Sequence, residues 1–134
     1  MIVGIGVDIV ETARVRQLAE RYGERFARRI LTRDECAEYD RRKRPNAYLA
    51  TRFAAKEAIA KALGTGIGKR FGFHSAQIEH DAAGKPVIHF LTGTQALLDD
   101  LGVTDAMISL SDERHYVVAM VVLESRPAAA VGSG

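Results

Sequence analysis

Tyr48 to Leu63 is a run dominated by Ala, Leu, Lys and Glu, preceded by Pro45 and closed by Gly64. Strong helix formers with glycine in the stop position commit the middle of the chain to a long helix. Leu49, Phe53, Ala60 and Leu63 give that helix a buried stripe, and Lys56 interrupts it with a charge. A 134-residue chain that is 47% hydrophobic has the apolar content for one core around such a helix. The reading is a single domain over residues 1–125, followed by a small, polar, flexible C-terminal tail over 126–134.

The other elements follow from local chemistry. Ile2 to Val10 is apolar, rich in Val and Ile and short, which predicts a buried, central strand. From Glu11 a charged, helix-favouring stretch begins, with Val15, Leu18, Ala19, Tyr22 and Phe26 recurring at helical spacing as its core face. Arg14, Arg21, Arg25 and Arg28 run beside them as a second stripe. Thr32 with Glu35 three residues on forms a capping box for a short helix ending near Asp40. After the glycine-rich turn from Gly64 to Gly72, Ser75–Glu79 and Val87–Phe90 predict a hairpin about Asp81–Pro86. Thr94–Leu101 reads as a helix ending at Gly102, and Ala106–Ser111 with Tyr116–Leu123 as two strands about Asp112–His115.

Net charge is only +2, too small for a generalised polyanion binder, but its distribution is uneven. Between Arg14 and Arg44 eleven basic residues face six acids, a net of +5 that leaves −3 for the rest. This front half is either a solvated charged face or a dock for something acidic. A nucleic-acid module using Arg41 to Arg44 would leave the acids discussed below unexplained, and Trp is absent, so it lacks the aromatic platform for single strands. Cys36 is the only cysteine, which excludes an internal disulfide and a thiolate cluster. With no basic leader and no apolar run near the ~20 residues a bilayer needs, the expectation is a cytoplasmic protein with no membrane partner.

Asp8 stands between Val7 and Ile9 in the apolar strand, where a carboxylate is costly unless a cation or donors compensate it. It either caps or pairs with an arginine, or it holds a metal. Glu57 and Lys61, one turn apart, share a helix face with Phe53; that pattern is an exposed ion pair or half of a site. Two carboxylates with a neighbouring lysine match magnesium held with waters and substrate phosphates. Gly64–Arg70 fails as a P-loop, since Arg70 stands where Ser or Thr should be and the loop follows a helix. The four histidines, at 74, 80, 89 and 115, show no metal-ligand spacing.

Three segments, Gly4-Ile5-Gly6-Val7-Asp8-Ile9-Val10-Glu11, Arg52-Phe53-Ala54-Ala55-Lys56-Glu57-Ala58 continuing through Lys61 to Ile67, and Gly84-Lys85-Pro86, together resemble the holo-acyl-carrier-protein synthases. The resemblance runs in order from Met1 to about Glu124. It implies the 4′-phosphopantetheinyl transferase fold, an α+β arrangement in which a mostly antiparallel sheet packs against a long central helix. It implies transfer of 4′-phosphopantetheine from coenzyme A to a serine of apo acyl carrier protein, releasing 3′,5′-ADP, in the service of fatty acid biosynthesis. On that resemblance Asp8 and Glu57 are magnesium ligands, Glu57 and Lys61 are catalytic, and Lys61 also contacts phosphate. Arg52, Arg44, Gly64, Gly84 and Pro86 are coenzyme A contacts, and Arg14, Arg21, Arg25 and Arg28 meet the carrier protein. The family is typically a homotrimer with sites at subunit boundaries. One departure stands out: relatives resembling Ser-x-Ser-His at the penultimate strand have histidine where this chain has Asp112.

Overall fold

The computed structural model describes residues 1–127. In chain order it contains β1 (Ile2–Glu11), α1 (Thr12–Tyr22), α2 (Glu24–Ile30), α3 (Arg33–Arg41), α4 (Pro45–Leu63), β2 (Ala76–His80), β3 (Pro86–Phe90), α5 (Gln95–Leu101), β4 (Asp105–Asp112) and β5 (Tyr116–Glu124). β1, β5 and β4 form an antiparallel sheet in that order, and β2 and β3 pair as a separate hairpin. The long helix α4 packs on the inner face of the larger sheet, against β1 and β5, giving the expected α+β arrangement.

Local signals govern most element ends. Thr32 and Glu35 exchange both bonds of the capping box that opens α3. Gly64 closes α4 in the left-handed conformation, φ 77°, which glycine adopts without steric cost. Pro45 does not stand apart from the helix: it occupies its first turn, where a missing N–H costs nothing. The helical stretch after Glu11 is not continuous. Gly23, φ 61°, breaks it into α1 and α2, so Tyr22 projects outward at 51% exposure and leaves the core face.

β1 corrects another expectation, because it is an edge strand of the sheet and not a central one. Alternation puts Gly6, Asp8 and Val10 toward α4 and Ile5, Val7 and Ile9 on the opposite face. Those three aliphatics are 57–64% exposed, and the register places Val118, Met120 and Val122 of β5 beside them. The inner glycines are required by close approach. A Cβ on Gly6 would lie 2.1 Å from the Ala58 carbonyl oxygen, and one on Gly4 2.2 Å from that of Ala62.

α4 itself is buried along most of its length, including Lys56, which is fully buried. The expected stripe of Leu49, Ala60 and Leu63 lies in the core, while Phe53 is half-buried and stacks on Phe73. At the other end of the chain Arg126 is held by Asp105 through two side-chain hydrogen bonds, and 128–134, the remainder of the expected tail, lie outside the described residues. Among the described residues no helix is long and apolar enough to cross a membrane.

Candidate functional site

The glycine contacts bring β1 and α4 backbone to backbone, which sets Asp8 beside the Glu57–Lys61 face. Lys61 Nζ donates to Asp8 Oδ1 at 2.9 Å and to the Val7 carbonyl at 3.1 Å. Of the open alternatives for Asp8, neither helix capping nor an arginine is realised: α1 has no side-chain cap, and the partner is a lysine. Lys61 thus turns toward Asp8, and Glu57 makes no ion pair among the described residues. Burial and the nearby Asp8 carboxylate push the Glu57 carboxyl above its usual range, with Lys61 drawing it partly back. Asp8 and Glu57 line a cavity of about 420 Å³ with Arg14, Val15, Leu18, Phe53 and Tyr116. No group of three or more His, Cys, Asp or Glu side chains able to hold a metal occurs among the described residues. A divalent ion at this acidic pair would therefore complete its shell with waters and substrate oxygens, which is how magnesium is commonly bound. The Lys61 ammonium already on Asp8 shows that the position suits a cation.

Arg52 is five residues before Glu57, which turns it by about 140° around α4. It does not join the acidic pair. Its guanidinium is buried over the Tyr48 ring at 4.2 Å and donates to Thr51 Oγ1 and the Ile78 carbonyl. Its Nε is buried and unpartnered, and burial lowers its pKa. Arg52, Arg44, Lys43 and Arg42 line a cavity of about 560 Å³ with Thr51, His80 and Asp112. Burial and then the neighbouring Arg52 and Arg42 push His80 down, which favours its neutral form in this cationic place. Pro86 pairs across the hairpin with His80, which lines this cavity, while Gly84 and Pro86 are not themselves among its lining residues; Gly84 takes φ 87° in the turn. Gly64 lies instead at the end of α4 beyond Lys61. Of the predicted residues within α4, Glu57 and Lys61 thus lie beside Asp8, and Arg52 lies in the cationic cavity.

The arginine stripe is divided by the break at Gly23. Arg14 lines the acidic cavity, and Arg21 lies over the Tyr22 ring. Arg28 pairs with Glu24 on an exposed surface. Arg25 flanks a third cavity, about 470 Å³, with Leu18, Tyr22, Phe26 and Arg29. Arg29, Lys43, His80 and Tyr48 are additions that only the fold could place. Sequence spacing also missed the partner of Lys56, whose Nζ donates to Glu35 Oε1 and the Ile30 carbonyl in the core.

A family model described as the 4′-phosphopantetheinyl transferase superfamily matches residues 4–121. A holo-[acyl-carrier-protein] synthase of Shewanella frigidimarina is 54% identical over 124 residues, covering 92% of this chain and 98% of that protein. The crystal structure of the Neisseria meningitidis synthase superposes with a TM-score of 0.90 at 45% identity, covering 93% of this chain and 100% of the other. That of the Helicobacter pylori synthase, solved in complex with coenzyme A, gives 0.78 at 29% identity, covering 90% and 99%.

Proposed function

Because the chain belongs to the 4′-phosphopantetheinyl transferase superfamily, among its holo-acyl-carrier-protein synthases, we propose a division of labour among its residues for that reaction. The enzyme transfers 4′-phosphopantetheine from coenzyme A to a serine of apo acyl carrier protein, giving holo carrier protein and 3′,5′-ADP. The serine oxygen forms a bond to the phosphorus that bears pantetheine, the bridging P–O bond breaks, and the electron pair leaves on the adenosine phosphate.

Asp8 and Glu57 would hold magnesium, whose chemistry is to neutralise the pyrophosphate oxygens as charge builds on the leaving phosphate. Lys61 adds a second positive charge to that phosphate. Glu57, directly or through a water that it orients, takes the serine proton. Arg44 and Arg52 receive the phosphorylated nucleotide end, with Gly84 and Pro86 at its base and Gly64 near the pyrophosphate. Arg14, Arg21, Arg25 and Arg28 steer the acidic carrier, and the cavity beside Leu18, Tyr22 and Phe26 takes its apolar side chains. Arg52 lies on a different face of α4 from Glu57 and Lys61, and the outer face of the sheet exposes Ile5, Val7, Ile9 and Met120. Both facts suit an assembly of copies, and in the homotrimer typical of the family one copy's acidic pair would meet a neighbour's cationic cavity. A cytoplasmic location suits these substrates and the single cysteine.

The observation that carries this reading is the convergence of Asp8, Glu57 and Lys61 through the β1–α4 glycine contact. Incubation with apo carrier protein, coenzyme A and magnesium, read by mass spectrometry, gives the phosphopantetheine adduct. Glu57→Gln lowers the rate by about 10²-fold or more. Full turnover of that variant at saturating magnesium removes Glu57 from both roles.

A further inference from the structure

Two lysines of α4 each meet a carboxylate, under opposite conditions. Lys56 is fully buried and locked between Glu35 and the Ile30 carbonyl. Lys61 has a side chain 53% exposed, while the Asp8 side chain it contacts is only 14% exposed. A carboxylate buried to that degree is costly without a cation, and the ammonium supplies one. The ammonium also donates to the Val7 carbonyl, but the lysine stem is half-exposed, so no packing locks it and the contact with Asp8 can be given up. A divalent ion taking Oδ1 would compete with the ammonium for that oxygen, and the two cations repel at contact distance.

We propose that Lys61 is an exchangeable counter-ion: its ammonium stands on Asp8 in place of the divalent cation, and the cation's arrival hands it over to the pyrophosphate. This rests on the assignment of Asp8 and Glu57 to the metal. The exchange makes Lys61 a positioning residue for the metal site, in addition to its contact with phosphate. In the absence of coenzyme A, metal binding works against the Asp8–Lys61 pair. With coenzyme A present the displaced ammonium gains a new anionic partner, so metal and coenzyme A strengthen one another, and by linkage the coupling is mutual.

The direct test follows Mn²⁺ binding by the free-ion resonance signal at constant ionic strength, without carrier protein. Lys61→Met is expected to bind Mn²⁺ roughly two- to fivefold more tightly than wild type, the scale of a partly exposed ion pair. Adding coenzyme A is expected to tighten Mn²⁺ binding more in wild type than in the variant. A contact exchange is separated from a mere change of field by acylating wild-type lysines and reading the products by mass spectrometry. Mg²⁺ alone should speed modification of Lys61 while leaving the exposed Lys43, Lys69 and Lys85 unchanged. Equal or weaker Mn²⁺ binding by Lys61→Met, or Lys61 labelling indifferent to Mg²⁺, overturns the exchange. Absence of Mn²⁺ binding by either protein, with or without coenzyme A, overturns instead the metal assignment beneath it.

Discussion

Substituting Gly6 by alanine adds one methyl group where the strand has no room for it. The new Cβ would sit 2.1 Å from the Ala58 carbonyl oxygen and 2.7 Å from the Ala62 backbone nitrogen. Ordinary carbon–oxygen contacts begin near 3.3 Å, so β1 and α4 must part by on the order of 1 Å. Neither obstacle is a flexible side chain; both are backbone of a helix locked into the core. Overpacking of this kind costs about 1–3 kcal/mol. The functional cost is expected to be larger in proportion. Asp8 rides on β1 while Glu57 and Lys61 ride on α4, so the separation falls directly on the 2.9 Å Asp8–Lys61 contact. A misplacement of about 1 Å in a catalytic constellation lowers the rate on the order of 10²-fold. Urea denaturation gives the stability change, and carrier modification followed by mass spectrometry gives kcat/KM. Gly68→Ala is the control, since a Cβ there meets nothing within 4 Å. Wild-type stability and rate in Gly6→Ala, or equal losses in both variants, would refute the claim that close backbone approach builds the site.

Three further outcomes are open to measurement. Lys56→Met leaves the Glu35 carboxylate buried without its cation, and is expected to lower unfolding free energy by about 3–5 kcal/mol; a loss under about 1 kcal/mol in urea titration would show that the pair is not a fixed part of the core. Arg21→Glu with Arg25→Glu is expected to raise KM for the carrier by about tenfold with kcat nearly unchanged, the difference shrinking as salt is added; a change in kcat alone would contradict docking. Asp112→Asn removes a carboxylate from the cavity that Arg44 and Arg52 line, so KM for coenzyme A is expected to fall by about two- to fivefold, whereas a rise would mean that the carboxylate holds the ligand.

What local chemistry dictates was legible before the fold was known. The Thr32–Glu35 box, the glycine stops at 64 and 102 and both hairpin turns concern groups within a few residues of each other. Gly23 carries no comparable signal, because glycine within a helical pattern breaks it only where tertiary packing favours turning the chain. β1 shows a different limit. An apolar strand reads the same whether its second face meets this chain or something else, so Ile5, Val7 and Ile9 could not reveal that they lie open. Asp8 raised a question the sequence could frame but not answer, since its partner is 53 positions away. The complementary small residues were nevertheless present: Gly4 and Gly6 at strand spacing, Ala58 and Ala62 at helix spacing.

The position of Arg52 depends on a pair that touches no proposed substrate. Glu35 accepts from the Ile78 amide at 2.9 Å with one oxygen and from Lys56 with the other, while Arg52 donates to the Ile78 carbonyl at 3.2 Å. Both backbone groups of one β2 residue are thereby tied to α3 and α4. Arg52 and Lys56 lie one turn apart, so the buried ion pair fixes the strand from which the arginine takes its orientation. A charge inside the apolar stripe of α4 therefore has a use in the cationic cavity. Loss of Lys56 should loosen Arg52 before it disturbs Asp8, which is held from the opposite side of the helix by the glycines of β1.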